Sequence, residues 1–270
     1  MNPLDLLAEW PVENAAAGWL GGTSRVERSP LSDQPFALAS VTKPLFGLAV
    51  LVAVEEGTLD LDRPLGISGA TLADHLAHSS GLGPEATDPT TDPRTRRVYS
   101  NAGYEAIGIA LAEAGGMSCT QYFHEAIAEP LGLAATHLAG SPAHGATSSV
   151  DDLLLLCGEI MRPTLLSNQT MSRASRAHLD QLGGVLPGYG RQQPNPWGLG
   201  FEIRGTKNPH WTGSNNSPST FGHFGRAGTM LWIDPAADVA CVALTNRTFG
   251  PWAQTAWPVL SDAILATGAD

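Results

Sequence analysis

Basic charge, cysteine pairs and long apolar runs are all scarce in this chain of 270 residues. Lys and Arg number 15 against 26 Asp and Glu, a formal net charge of -11 that argues against nucleic acid or an anionic membrane as the main partner. The three cysteines, Cys119, Cys157 and Cys241, form no C-x-x-C and are odd in number, which fits buried packing thiols in a reducing compartment better than a disulfide framework. The longest apolar run, Pro44 to Val54, is about half of what a membrane span requires. Met1 to Trp19 holds no Lys or Arg and no apolar signal core, so a cytoplasmic protein is expected, although a mature form with its signal removed would read the same way. No cofactor or metal is called for: His75 and His78 stand at i, i+3, a spacing zinc could use, but no third ligand clusters nearby. A hydrophobic content of 43% is enough for a full core without staples.

What is present is the stretch Phe36-Ala37-Leu38-Ala39-Ser40-Val41-Thr42-Lys43-Pro44, which runs into an uncharged segment from Leu45 to Val54. Residues three apart on a helix share a face, so Lys43 can reach the Ser40 hydroxyl. Pro44 lacks an N–H and crowds the carbonyl four residues earlier, so regular helix is not expected far upstream of Ser40. At a helix start, free N–H groups and the positive dipole end favour an oxyanion and disfavour a protonated amine. Val41, Leu45 and Phe46 also strip Lys43 of hydration, which lowers an amine's pKa. Both effects suit a nucleophile with a general base beside it. Taken alone, Ser-x-x-Lys is equally two common residues at a common spacing.

Around this stretch the pattern predicts a short helix over Leu4–Trp10, strands over Glu13–Leu20 and Pro35–Ala39, and a buried helix stopping at Gly57. Helices are expected over Thr71–His78, Gly103–Gly115, Thr120–Ala128, Ser149–Met161 and Ser167–Leu182, with a polar loop over Gly83–Arg97. Strands return at Trp197–Ile203, Ser219–Phe224, Gly228–Ile233 and Val239–Thr245, and a helix closes the chain over Trp252–Ala266. This predicts an α+β fold: an antiparallel sheet flanked by N- and C-terminal helices, with an inserted all-helical subdomain. The expected division is one catalytic unit, its α/β layer 1–66 and 190–270 and its helical subdomain 67–189, with a cleft between them.

Two further motifs bear on Ser40 and Lys43: Tyr99-Ser100-Asn101 before a helix, and His223-Phe224-Gly225 in the strand before Gly228. Three motifs in this order resemble the serine β-lactamase and penicillin-binding superfamily, whose signature set includes Ser-x-x-Lys. The Tyr-x-Asn and His-x-Gly forms are similar to its class C branch, which also holds DD-carboxypeptidases, D-aminopeptidases, family VIII esterases and some acyltransferases. Leu76-Ala77-His78-Ser79-Ser80-Gly81-Leu82 and Trp197-Gly198-Leu199-Gly200 resemble scaffold segments of that branch. The resemblance implies that Ser40 is acylated, Lys43 is its base and Tyr99 is a second proton-transfer group. It implies that Asn101 holds Lys43 and the substrate's acyl side chain, that His223 lies near Tyr99, and that the N–H of Arg226, after Gly225, joins that of Ser40 as an oxyanion hole. A phenol beside cations would have its pKa lowered, which suits proton transfer.

The departures bear on substrate. No Glu-x-x-Leu-Asn stretch offers a glutamate-activated deacylating water, and the middle position of the third motif, commonly threonine in the family, is Phe224. Should Phe224 face the cleft, an apolar ring replaces an anion-binding hydroxyl; Arg226, on the same face of a continued strand, is either a carboxylate clamp or an exposed strand-end charge. Trp211 is either a stacking platform at the rim or one buried Trp in an exposed loop. The expected function is a serine hydrolase, a carboxylesterase on small or medium acyl esters. The alternatives are a D-amino-acid peptidase or amidase, a weak β-lactamase, an acyltransferase or, in another class, a penicillin-binding sensor without turnover. The expected partner is a small-molecule ester or amide, with the oligomeric state open.

Overall fold

The two ends of the chain meet in one sheet. In the computed structural model, which describes residues 2–22, 25–66, 69–85 and 88–268, β1 (Ala15–Gly21) is followed by β2 (Arg25–Arg28) and β3 (Phe36–Ala37). Then come α1 (Thr42–Glu55), α2 (Leu72–Leu76), α3 (Asn101–Gly115), α4 (Cys119–Phe123), α5 (Glu129–Leu131), β4 (His137–Leu138) and β5 (Ala146–Ser148). The chain continues through α6 (Val150–Met161), α7 (Asn168–Ala174), β6 (Gly184–Leu186), β7 (Gly190–Gln192) and β8 (Glu202–Ile203). It ends with β9 (Phe221–Gly225), β10 (Thr229–Asp234), β11 (Val239–Thr245) and α8 (Pro251–Gly268).

The main sheet has the order β2-β1-β11-β10-β9-β8, with antiparallel pairing throughout. Every residue of β10 and β11 is buried, as strands covered on both faces should be. The register sets Phe224 opposite Met230 and His223 opposite Leu231, so the two motif side chains leave β9 on opposite sides. Phe224 and Trp232 reach α8, at Trp257 and Ser261. His223 turns toward Tyr99 and Trp197. Helix α1 is apolar on nearly all sides and accordingly buried, Thr42 through Leu51 without a break. Gly57 follows it with a left-handed φ of 78°, as a helix-ending glycine does.

The α+β class and the antiparallel sheet agree with the sequence expectation, but the middle segment, expected to be all-helical, also holds three short strands: β4 and β5, in one sheet with β3, and β6, which pairs with β7. Several boundaries move for identifiable reasons. The helix expected over Ser167–Leu182 stops at Ala174, because Arg97 takes the carbonyls of His178 and Leu179 and Leu179 adopts a φ of 56°. The strand expected over Trp197–Ile203 is reduced to β8, as Gly200 turns the backbone with φ 95°. Helical structure also runs past Pro130, which sits in the first turn of α5, where its missing N–H costs nothing. The boundary expected after residue 66 falls at residues 67 and 68, outside the described residues, as do residues 86 and 87 of the loop over Gly83–Arg97.

Candidate active site

Ser40 sits in a single 3-10 turn, Ala39–Val41, that feeds α1. Ala39 holds a left-handed φ of 47°, a conformation that costs a Cβ-bearing residue about 1 kcal/mol. Neighbours hold this bend in place: Leu38 N–H donates to Ala146 O and Thr229 Oγ1 donates to Leu38 O, at 2.9 and 2.7 Å. Gly225, at the end of β9, comes so close that a Cβ there would collide with Leu38 O and lie 3.2 Å from Ser40 N. The third residue of the His-Phe-Gly motif is therefore a spacing requirement, which lets β9 lie against the Ser40 turn.

Lys43, the second residue of α1, is fully buried. Its Nζ is 3.4 Å from Ser40 Oγ, 2.6 Å from Asn101 Oδ1 and 2.9 Å from Ala143 O, and it lies over the rings of Tyr99 and Tyr104 at 4.7 and 5.3 Å. None of these partners is a carboxylate. Burial lowers its pKa to about 7, while the more distant charges of Glu85 and Glu105 pull it back upward. Asn101 opens α3, its Oδ1 on Lys43 and its Nδ2 donating to Glu85 Oε1 at 2.6 Å, while the preceding Ser100 caps the helix through Gly103 N–H.

Tyr99 is placed between His78, Trp197 and His223, with ring centroids 4.5, 5.9 and 5.9 Å away. The expected lowering of its pKa is overturned. Burial raises the phenol well above its ordinary value, and a hydrogen bond with Ser40 offsets only part of this. Histidine supplies no neighbouring cation: His223 donates from Nδ1 to Phe224 O at 2.7 Å, and burial, with Lys43 nearby, lowers its pKa to about 3. Neutral His223 thus presents a bare, buried Nε2 that has no hydrogen-bond partner among the described residues.

Ser40, Tyr99, Asn101, His223, Phe224 and Arg226 all line one cavity of about 260 Å³, whose surface is mostly apolar. Phe224 is 9% exposed, part of an aromatic cluster with Tyr189, Trp211, Phe249 and Trp257. Arg226 is exposed and lies beyond the end of β9, in the turn to β10; the continued strand expected there stops at Gly225. Trp211 is fully buried with its indole N–H donating to Glu202 Oε2 at 2.9 Å, which removes it as a stacking platform for substrate. His75 and His78 serve the scaffold: His75 Nε2 meets Leu65 O at 3.1 Å, and His78 Nδ1 accepts from Ser100 N–H at 3.2 Å. Among the described residues no group of three or more His, Cys, Asp or Glu is arranged to hold a metal ion.

Residues 11–264 match the family model described as Beta-lactamase. The chain belongs to the beta-lactamase family. A beta-lactamase structure from Mycobacterium bovis is 46% identical, with a TM-score of 0.96 over 100% of both chains. EstCE1, described as a hydrolase with promiscuous acyltransferase activity, is 18% identical with a TM-score of 0.78 over 97% of this chain and 96% of that one, a likeness of fold alone. A Salmonella gallinarum protein provisionally named D-alanyl-D-alanine carboxypeptidase is 26% identical over 228 residues, 65% of this chain and 50% of that protein. The chain thus spans about half the length of the curated relatives it matches.

Contributors to this beta-lactamase-family site that were not anticipated from the sequence include Glu85, Glu105, Ala143, and the cavity-lining Glu202, Phe249 and turn Leu186–Gly188. Ala143 acts through its carbonyl, which no side-chain pattern reveals. Glu85 lies in a loop without periodicity, and its position follows only from the fold. His78 left more of a signal. Its carbonyl accepts from Val98 N–H at 3.0 Å and its ring nitrogen from Ser100 N–H, so it grips the backbone on both sides of Tyr99 from a left-handed φ of 58°.

Proposed function

We propose that the chain is a serine hydrolase that forms an acyl-enzyme on Ser40, with esters of small or medium acyl groups as its preferred substrates. The observation that carries this reading is the surroundings of Lys43. A neutral amine has two N–H bonds and one lone pair. Asn101 Oδ1 and Ala143 O take the two hydrogens, which leaves the lone pair for the hydroxyl of Ser40. Lys43 then accepts the Ser40 proton as Oγ attacks the ester carbon. The proton passes on to the leaving alcohol by way of Tyr99, whose phenol stays protonated and works as an acid. The C–O bond to the alcohol breaks, and a water repeats the sequence on the acyl-enzyme with the same groups. The N–H groups of Ser40 and Arg226 are the proposed oxyanion donors, each worth about 3 kcal/mol in such sites.

Phe224 favours esters over substrates anchored by a carboxylate, since it brings an aromatic ring to the cavity at a position the family commonly fills with threonine. The exposed guanidinium of Arg226, which has no hydrogen bond or ion pair among the described residues, favours a second reading, a D-amino-acid peptidase. In either case the chain acts as one catalytic unit, with residues 1–66 and 190–270 as one wall of the cleft and 67–189 as the other. Intact-mass measurement with p-nitrophenyl butyrate and, separately, a penicillin decides between turnover and capture. Release of nitrophenol that is lost in Ser40→Ala supports the hydrolase; a persistent adduct without product overturns it.

A further inference from the structure

A second cavity, about 810 Å³, lies beyond Tyr99 from Ser40. Tyr99 and Pro187 line both spaces, which sets the two cavities side by side. Its wall is mostly apolar and includes Pro84, Val98 and Val185, the last 61% exposed. The wall also carries Arg96, Arg97 and Arg191 and, among the described residues that line it, no Asp or Glu. That is a pointed composition in a chain with 26 acidic residues against 15 basic ones.

The three arginines are not equivalent. Arg97 is buried and commits four of its five N–H groups to the carbonyls of Ala77, His178, Leu179 and Asn195, so it adds positive charge to the wall but is held by the scaffold. Arg96 and Arg191 are exposed and, among the described residues, their side chains have no hydrogen bond or ion pair. The fold brings them to one wall through the β6–β7 hairpin, in which Arg191 pairs with Val185. Gly184 lets that hairpin close on the chain at Arg97, where an added Cβ would strike the Arg97 side chain and carbonyl.

We propose that this cavity is a substrate arm site for an apolar chain ending in an anion, a carboxylate or a phosphate, which Arg96 and Arg191 bind with their free forks. The arm belongs to either the acyl or the alcohol half of the ester. The inference rests on the esterase reading and narrows its substrate class.

The test compares kcat/KM for the p-nitrophenyl monoester of suberic acid with that for its methyl-capped neutral counterpart, and for butyrate esters of 6-hydroxyhexanoate against those of its methyl ester. Wild type is expected to prefer the anionic member of at least one pair by about tenfold, the scale of one or two charge-assisted bonds at a solvent-open site. The preference ratio is expected to fall to about one in Arg96→Gln/Arg191→Gln and to shrink with added salt. Equal rates for both members of both pairs, or a preference that survives the double substitution, would overturn it. Calorimetric titration with monomethyl suberate, which needs no turnover, separates the two readings. Binding lost in the double variant upholds the arm site even where no ester is hydrolysed, and absence of binding to wild type overturns it.

Discussion

The chain has two lysines, Lys43 and Lys207, and the fold buries both. They meet opposite surroundings. Lys43 faces a hydroxyl, a side-chain amide, a backbone carbonyl and two aromatic rings. Lys207 is clasped by the carboxylate of Glu202, which also accepts from His210 Nε2 and Trp211 Nε1, both at 2.9 Å, while Asn195 Oδ1 takes a further hydrogen of Lys207 at 3.1 Å. Lys207 and His210 hold Glu202 well below the usual carboxylate range, so that pair stays ionised. Desolvation is the first influence on both amines, and what differs is the counter-charge in contact. A buried amine with neutral acceptors becomes a base, and one with a carboxylate becomes an anchor.

The largest expected effect breaks this comparison on the Lys43 side. Lys43→Met is expected to lower kcat/KM for p-nitrophenyl butyrate about a thousandfold, as loss of a general base does. Its melting temperature should not fall, because an apolar side chain of similar length replaces a desolvated amine. Lys207→Met should do the reverse. It leaves Glu202 buried and unpaired, at a cost of about 3–5 kcal/mol in urea unfolding, with kcat/KM per folded molecule down by less than about tenfold. A stable Lys207→Met variant would mean that the pair anchors nothing.

The pH dependence of stability sharpens the contrast. Lys43 releases its proton at about 7 when folded and near ~10.4 when unfolded, so between these values the unfolded chain binds more protons and stability rises with pH. Between pH 7 and 9 wild type should gain roughly 2 kcal/mol relative to Lys43→Met in paired denaturant melts. A flat difference would place the Lys43 proton elsewhere. Activity follows the same ionisation, with kcat/KM falling about tenfold per pH unit well below 7. The smallest expected effect lies where the two regions touch, at Phe224, whose ring packs 5.7 Å from Trp211. Phe224→Leu should shift the preference between acetyl and hexanoyl esters by less than about tenfold, the scale of a few methylenes in an apolar pocket. An unchanged chain-length profile would remove Phe224 from substrate selection.

Much of the Lys43 region was legible in the sequence because its logic is local. Ser40 and Lys43 are one helical turn apart, Pro44 marks where the helix begins, and the apolar run that follows announces its own burial. Tyr99 and Asn101 were legible through motif resemblance, and the fold puts Asn101 on Lys43. The Lys207 region was not legible. Glu202, Lys207 and His210 fall on a short strand and an irregular loop, and no period links them. Their partnership exists only once β8 pairs with β9. Tyr99 shows the limit of local reasoning in the opposite sense: nearness to cations suggested a lowered pKa, whereas burial, with the charge of Glu85, raises it.

With two lysines in the chain, one experiment addresses the central claim directly. Lysine labelled with carbon-13 at Cε should give two resonances, assigned by the loss of one in Lys43→Met. The Lys43 signal is predicted to titrate near pH 7 while the Lys207 signal stays in the ammonium form across that range. A Lys43 signal that remains protonated above pH 9 would contradict its role as the base for Ser40.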